Sequence, residues 1–310
     1  MNIQQIEYII AVGELKSFGQ AAEKCFITQS TLSTMIAKFE GEIGIKIFDR
    51  KTKPVTVTKE GKTIIQQLKV IAKELDNLQE ITNTLKGEIS GTLKIGVIPT
   101  VAPYLLPLFL NKFIRKLPNV HFIISEMTTE KIVEKVEKRE LDIGIVSIPL
   151  NNSNLKETLL YHEPFLLFDK VEGMIEHHFM VDDIDFDRLW LLEEGHCMRT
   201  QIESICNLRS KRTINRNLDY KSGTIDTLLK FVNRNNGVTL LPYLATLDFP
   251  ESERSYLKEF SSPVPVRSIG LVVHRHFVKK GILKLLKKEI QTQIEPLITI
   301  EAEQKIIAPL

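Results

Sequence analysis

Residues 21–50 read AAEKCFITQSTLSTMIAKFEGEIGIKIFDR and predict two short helices joined by a tight turn. The first helix begins near Phe18, and the turn lies at residues 27–29. The second helix carries Leu32, Met35, Ile36 and Phe39 on its apolar side and ends near a glycine. Two short helices joined in this way form a helix-turn-helix.

The second of these helices begins with short polar side chains, which suit contact with bases and phosphates in the major groove. The segment KIFDRKTKPVTVTKEG (46–61) follows, and it predicts a small, basic, two-stranded wing. The alternative is that the polar residues only cap a surface helix and that the lysines solvate a loop. The residues that this pattern predicts to contact DNA are Gln29, Ser30, Thr31, Ser33, Thr34, Lys38, Arg50, Lys51 and Lys53.

The bulk composition requires any DNA binding to come from a local patch. The chain has 310 residues, is 43% hydrophobic and carries a formal net charge of only +2. The N-terminus carries acidic residues and no basic signal-peptide region, and no stretch of 18 apolar residues occurs. We therefore expect a cytoplasmic protein without a membrane partner.

A long helix is predicted after the wing. Its apolar residues recur at alternating spacings of four and three, the heptad pattern of a coiled coil. We expect this helix to dimerise the chain, and the alternative is that it packs on its own domain. The residues of the seam are Ile64, Leu68, Ile71, Leu75, Leu78 and Leu85. The predicted domains are a winged helix-turn-helix (1–58), a linker and dimerisation helix (59–90) and a regulatory domain (91–310).

Residues 92–300 alternate strand and helix patterns, which predicts an α/β domain with parallel strands and two lobes around a cleft. Strands are predicted at 92–97, 120–126, 142–148, 165–169, 189–193 (LWLLE), 237–242 and 269–274, with helices at 102–116, 129–139, near 200 and at 224–234. Thr100 and Thr129 each follow a strand, so both are expected at the cleft. The common phosphate-loop, zinc-protease and hydrolase motifs are absent from the sequence, and we expect no enzyme, no cofactor and no metal site.

The chain resembles the LysR-type transcription regulators over essentially its full length. Residues 21–50 are similar to their winged helix-turn-helix, and IGVIPTVAPYLLP, LDIGIV and NNGVTLLP to their two-lobe, periplasmic-binding-protein-like effector domain. Within that family it is most similar to the peroxide-sensing OxyR group, through IPTVAPYLLP (98–107), GHC (195–197) and RSIGLV (267–272). Ser30 departs from the group, which often has proline there.

The resemblance implies a regulator, an activator of oxidative-stress genes, in which hydrogen peroxide oxidises Cys197 and Cys206 then closes a disulfide. It also implies a peroxide pocket formed by Thr100, Thr129, Gly195, His196 and Arg267. The partners implied are promoter DNA, RNA polymerase and further copies of the chain, as a homodimer or homotetramer.

Peroxide reacts with a thiolate, so Cys197 is expected to have a lowered pKa. The sequence places this cysteine at the start of a helical pattern, MRTQIESIC, beside His196 and with Arg199 close by. In an intact helix, nine residues separate the two cysteine Cα atoms by roughly 13 Å. A disulfide needs about 7 Å or less, so its formation must remodel this helix.

Four other interpretations stay open. In the first, the two cysteines are core thiols that never meet. In the second, a regulator of the same architecture binds an organic effector in its cleft without redox chemistry. A thiol peroxidase or disulfide oxidoreductase would turn over with a reductant, but the chain lacks a CxxC motif. A solute-binding protein shares the two-lobe fold, but it would need neither the 90 N-terminal residues nor their helix-turn-helix.

Overall fold

The computed structural model describes residues 1–85, 90–170, 179–193, 197–206, 222–300 and 302–309. The chain forms two compact units, Met1–Glu88 and Ile89–Leu310. Within the described ranges, no helix has both the length and the apolar character needed to cross a membrane.

The first unit contains the predicted helix-turn-helix and wing. Side-chain caps define where its short helices begin: the hydroxyl of Ser17 accepts from the amide of Gln20, and that of Thr28 from the amide of Thr31. Buried Ile9, Val12 and residues of the next two helices form its core. Its elements are α1 (Ile3–Leu15), α2 (Phe18–Lys24), α3 (Gln29–Ile43), β1 (Phe48–Asp49), β2 (Thr56–Val57) and α4 (Lys59–Leu85).

The second unit is built on an eight-stranded sheet. Its strands are β3 (Gly91–Val97), β4 (Val120–Glu126), β5 (Ile143–Ile148), β6 (Leu155–Asp169), β7 (Val238–Pro242), β8 (Leu257–Glu259), β9 (Val264–His274) and β10 (Gln304–Ile306). The main path is β4-β3-β5-β9-β6-β7, while β10 pairs with β9 and β8 with β6. The helices are α5 (Ala102–Lys116), α6 (Thr129–Glu137), α7 (Cys197–Ile205), α8 (Ile225–Arg234), α9 (Glu251–Arg254) and α10 (Lys280–Ile294).

Two hydrophobic cores divide this unit into two lobes. The first-lobe core lies among β3, β5, α5, α6 and α10, and includes Phe109, Ile132 and Leu286. The second-lobe core lies among β7, α7, α8 and the end of β6, and includes Phe165 and Leu240. The long strands β6 and β9 pair antiparallel from Leu155–His274 to Pro164–Val266 and connect the lobes.

Two details of the sheet differ from the prediction. Parallel pairing joins β3 to β4 and to β5, but β9, β6, β7 and β8 are antiparallel to their main-path neighbours, because the chain returns between the lobes. LWLLE (189–193) is not a strand. Leu189 and Leu192 form only single bridges, and the carbonyl of Trp190 accepts from the Thr239 hydroxyl at 2.9 Å. The amides of Trp190 and Glu193 donate to the carbonyls of Val238 and Ser222, both at 2.9 Å, but these bonds go to two different segments and do not extend into a ladder.

Candidate functional site

A polar surface covers the first turns of α3. The buried Leu32 and Ile36 anchor the opposite side of this helix in the core. All the predicted DNA-contacting residues of the helix are exposed except Ser33, which is half-buried: Gln29, Ser30, Thr31, Ser33, Thr34 and Lys38. The structure therefore brings these six residues onto one helix and leaves them open to a partner.

Arg50 connects the wing to this helix. Its guanidinium donates to the hydroxyl of Ser33 at 2.9 Å, lies 3.4 Å from the buried carboxylate of Glu40, and stacks 5.0 Å from the ring centroid of Phe18. Arg50 thus orients the wing against α3. Lys51 and Lys53, by contrast, are exposed at the tip of the wing.

The predicted dimerisation seam divides into two parts. Leu68 is buried in the core of the first unit, and Ile64 and Ile71 pack against that core. This part of α4 packs on its own domain, as the alternative interpretation proposed. Farther along, Leu75 is half-buried and Leu78 is 60% exposed. The side chain of Leu85 lies outside the described residues, so dimerisation stays a prediction for this end of the helix.

A buried ion pair lies where β6 and β9 pass between the lobes. Arg267 is 1% exposed and its register partner Glu163 is fully buried, with 2.8 Å from Nε to the carboxylate. The Arg267 guanidinium also donates to the hydroxyl and the carbonyl of Thr100, both at 3.0 Å. The other carboxylate oxygen of Glu163 accepts from the amide of Leu244 at 2.8 Å.

Cys197 lies within the field of this arginine. The thiol is 6% exposed and begins α7, while Thr129 begins α6. The buried Thr129 hydroxyl faces the thiol and lowers its pKa, but it has no partner of ordinary hydrogen-bond geometry among the described residues. Four predicted site residues are thus brought together: Thr100, Thr129, Cys197 and Arg267.

The expected low pKa of Cys197 is wrong for this conformation. Burial raises the pKa of the thiol, and this effect exceeds the opposing effects of Arg267, Thr129 and the amides of Cys197 and Met198. The amides at the N-terminus of α7 lower the pKa of the thiol, as expected. Arg199 is engaged elsewhere, since its guanidinium donates to Glu203 and to the carbonyl of Leu192, both at 2.9 Å.

Cys206 lies in a different core from Cys197. Its side chain is 1% exposed and belongs to the second-lobe core, whereas Cys197 belongs to the first-lobe core. These two described cysteines are thiols and not a disulfide. The predicted helix between them is present as α7. Gly195 and His196, two predicted pocket residues, lie outside the described residues.

Glu163 is a site residue that the sequence interpretation missed. It lies 104 residues from Arg267, and only the register of β6 against β9 brings the two together. A glutamate within the apolar pattern YHEPFLLF (161–168) was the available signal, because a carboxylate in a buried strand needs a cation.

Comparison with known families gives two matches that together cover most of the chain. The family model of the "LysR substrate binding domain" matches residues 86–291. The model of the "bacterial regulatory helix-turn-helix protein, lysR family" matches residues 3–62.

Individual relatives are similar over most of their length. A hydrogen peroxide-inducible genes activator of Haemophilus influenzae is 31% identical over 281 residues, covering 88% of this chain and 90% of the relative. The HTH-type transcriptional regulator EstR of Acinetobacter baylyi is 30% identical over 277 residues, covering 88% and 91%. A solved variant of full-length OxyR from Pseudomonas aeruginosa aligns with a TM-score of 0.74 and 27% identity, covering 94% and 98% of the two chains.

Proposed function

Because the chain belongs to the LysR family of bacterial transcription regulators and is OxyR-like, we propose that it senses hydrogen peroxide through Cys197 and Cys206. The observation that carries this proposal is the arrangement around Cys197. A buried thiol faces the buried hydroxyl of Thr129, which has no ordinary hydrogen-bond partner in the described part of the chain, and the thiol lies within the field of Arg267. A buried hydroxyl of this kind costs free energy unless a small polar molecule satisfies it.

The chemistry needs one peroxide for each pair of thiols. The Cys197 thiolate attacks one peroxide oxygen, the O–O bond breaks, and the departing hydroxide takes up the proton that the thiol released, giving water and a sulfenic acid. The Cys206 thiol then attacks that sulfur, and a second water leaves as the disulfide forms. Arg267 stabilises the thiolate and Thr129 holds the peroxide. Thr100 fixes the guanidinium, and Gly195 and His196 are proposed to complete the pocket.

The disulfide changes the shape of the second unit. Cys197 and Cys206 are at opposite ends of α7, and the helix rise keeps their Cα atoms roughly 13 Å apart. Closing the bond requires about 7 Å or less, so at least part of the stretch 198–205 must leave the helix. This change is the proposed signal to the DNA-binding unit. Through it the oxidised protein would recruit RNA polymerase at stress promoters.

An organic effector in the same cleft is the second candidate. The regulator EstR, whose name refers to no peroxide, is almost as similar as the peroxide-inducible activator, and this similarity favours keeping the alternative. Against it, the Arg267 guanidinium is already paired with the Glu163 carboxylate and hydrogen-bonded to Thr100. A carboxylate effector would have to displace these contacts, whereas peroxide needs only a small space beside the thiol.

Non-reduced peptide mapping by mass spectrometry tests the proposal. After addition of about one equivalent of peroxide to the reduced protein, we expect a Cys197–Cys206 bridge. Cys206→Ser should instead accumulate a sulfenic acid that dimedone traps at Cys197. Cys25→Ser is the matched control and should form the bridge normally, because Cys25 lies in the first unit. Two thiols that stay reduced would contradict peroxide sensing and favour the organic effector.

The wing lysines give a separate prediction for DNA binding. Lys53→Ala should weaken binding to any duplex, because Lys53 is exposed at the wing tip and suited to a phosphate. The slope of log K against log salt should fall by roughly 0.9 per subunit, as expected when one phosphate contact is lost. Fluorescence anisotropy between roughly 50 and 200 mM salt measures this slope.

The control for this experiment is Lys69→Ala, which removes the same charge from α4. Lys69 lies on α4, and its Nζ is 3.7 Å from the carboxylate of Glu14 on α1. Its slope should equal that of the wild type. If both variants have the wild-type slope, Lys53 does not contact a DNA phosphate.

A further inference from the structure

The C-terminal segment 302–309 is built into the second unit as a strand. Its strand β10 pairs parallel with β9, register partners running from Gln304–Val264 to Ile306–Val266. The amide of Val264 donates to the carbonyl of Glu303 and the amide of Ile307 to that of Val266, both at 2.8 Å. Ile307 is buried in the second-lobe core, which also contains residues of α7.

The side chain of Gln201 connects α7 directly to this segment. Gln201 is fully buried in the middle of α7, and its amide nitrogen donates to the carbonyl of Ile307 at 2.7 Å. The same nitrogen lies 3.2 Å from the hydroxyl of Ser147, which lies on β5 in the first lobe. One buried side-chain amide thus connects α7 to the first lobe and to the C-terminal segment.

These contacts depend on the position of Gln201 in α7. Gln201 lies near the centre of the stretch 198–205, part of which must leave the helix before the cysteines can meet. Loss of the helix at Gln201 would remove the hydrogen bond to Ile307 and would also disturb Ile202 and Ile205, which share a core with Ile307.

We propose that residues 302–309 form a C-terminal strap that stabilises the reduced conformation through Gln201 and detaches from β9 when the disulfide forms. The inference rests on the proposed function, since it assumes the Cys197–Cys206 bridge. Gln201 is a positioning residue: it touches neither thiol among its hydrogen-bond partners, but it sets how easily the helix is lost. Detachment leaves the backbone of Val264–Val266 without its β10 partner.

Thermodynamic linkage gives the direction in which loss of the strap contacts shifts the thiol–disulfide equilibrium. The strap contacts favour the reduced state and are absent from the oxidised state, so removing them shifts the equilibrium towards the disulfide. A single buried hydrogen bond corresponds to about a 2- to 10-fold change in an equilibrium constant. Gln201→Met keeps the length and the helix propensity of the side chain but cannot donate to Ile307.

The experiment combines redox titration with hydrogen exchange on the full chain. In buffers of reduced and oxidised glutathione, Gln201→Met should form the disulfide at a thiol-to-disulfide ratio about 2- to 10-fold more reducing than the wild type needs. Lys305→Ala, an exposed side chain on the same strand, is the matched control and should titrate as the wild type does. In the wild type, the amides of Val264 and Ile307 should be protected when reduced and exchange rapidly when oxidised.

Failure of the strap and failure of peroxide sensing give different results. A disulfide that forms while both amides stay protected overturns the strap and leaves the proposed function standing. The absence of any Cys197–Cys206 disulfide overturns both. The hydrogen-exchange arm uses the wild type alone, so it decides the matter even where Gln201→Met fails to fold.

Discussion

Oxidation of Cys197 by peroxide should slow by about 10- to 100-fold when Arg267→Met is combined with Glu163→Leu. Removing the guanidinium takes away a positive charge that lowers the pKa of the thiol, so the effect of burial is less opposed, the pKa rises and less thiolate is present. A lost hydrogen bond or contact to a charged group corresponds to about 1.5–3 kcal/mol, which sets this range. Dimedone trapping in a Cys206→Ser background measures the rate.

The pH dependence gives the same prediction a second readout. Because the pKa of Cys197 is raised above its ordinary value of 9.0, the thiol is mostly protonated at neutral pH. The rate should therefore rise about tenfold per pH unit from roughly pH 6 to 8, with no plateau in that range. The double variant should give a parallel line at lower rates.

Arg199→Met is the matched control for the loss of one arginine. Its guanidinium is bonded to Glu203 and to the carbonyl of Leu192, and it is not among the groups that shift the pKa of Cys197. Its oxidation rate should stay within about twofold of the wild type. A folded double variant that oxidises at the wild-type rate would remove Arg267 from the sensor chemistry.

The single variants should be far less stable than the double variant. Arg267→Met alone leaves the Glu163 carboxylate buried without its cation, and Glu163→Leu alone leaves the guanidinium in the same position. Removing one partner of a buried ion pair lowers the free energy of unfolding by about 3–5 kcal/mol. Replacing both with apolar residues of similar volume is often nearly neutral. Urea unfolding followed by circular dichroism measures all three variants.

An exposed ion pair serves as the reference for this comparison of the two single variants with the double variant. Glu140→Gln removes the partner of Lys135, where both side chains are more than 40% exposed, and it should change the free energy of unfolding by less than about 0.5 kcal/mol. If the effects of Arg267→Met and Glu163→Leu simply add, the two groups do not act as a pair.

Local patterns in the sequence predicted most of the fold because they reflect local physics. Helix α3 was predicted from its periodicity and begins where Thr28 caps it. The strand predicted for LWLLE was wrong because its apolar run does mark buried chain, as at Leu192, but the backbone hydrogen bonds of a strand depend on neighbours distant in the sequence. Periodicity identifies which face is buried and does not specify its partner.

The site was predicted less completely than the fold. The resemblance to known regulators supplied Thr100, Thr129, Cys197 and Arg267, which the structure brings together. Glu163 and Gln201 were missed because each acquires its role from residues more than 100 positions away in the chain. The pKa of Cys197 was expected in the wrong direction because burial, the largest influence on it, is a property of the folded environment.

Because the two cysteines lie in separate cores, the lifetime of the proposed oxidised state depends on side-chain packing. Under the proposed function, joining them should draw side chains of α7 such as Met198 and Ile202 out of close packing, which would make the oxidised conformation the less stable one. A disulfide held under such strain is reduced more readily than a structural one. If this disulfide forms as proposed, a thiol reductant should therefore break it readily once the oxidant is consumed, and the packing of the nine-residue helix α7 should favour the return to two thiols.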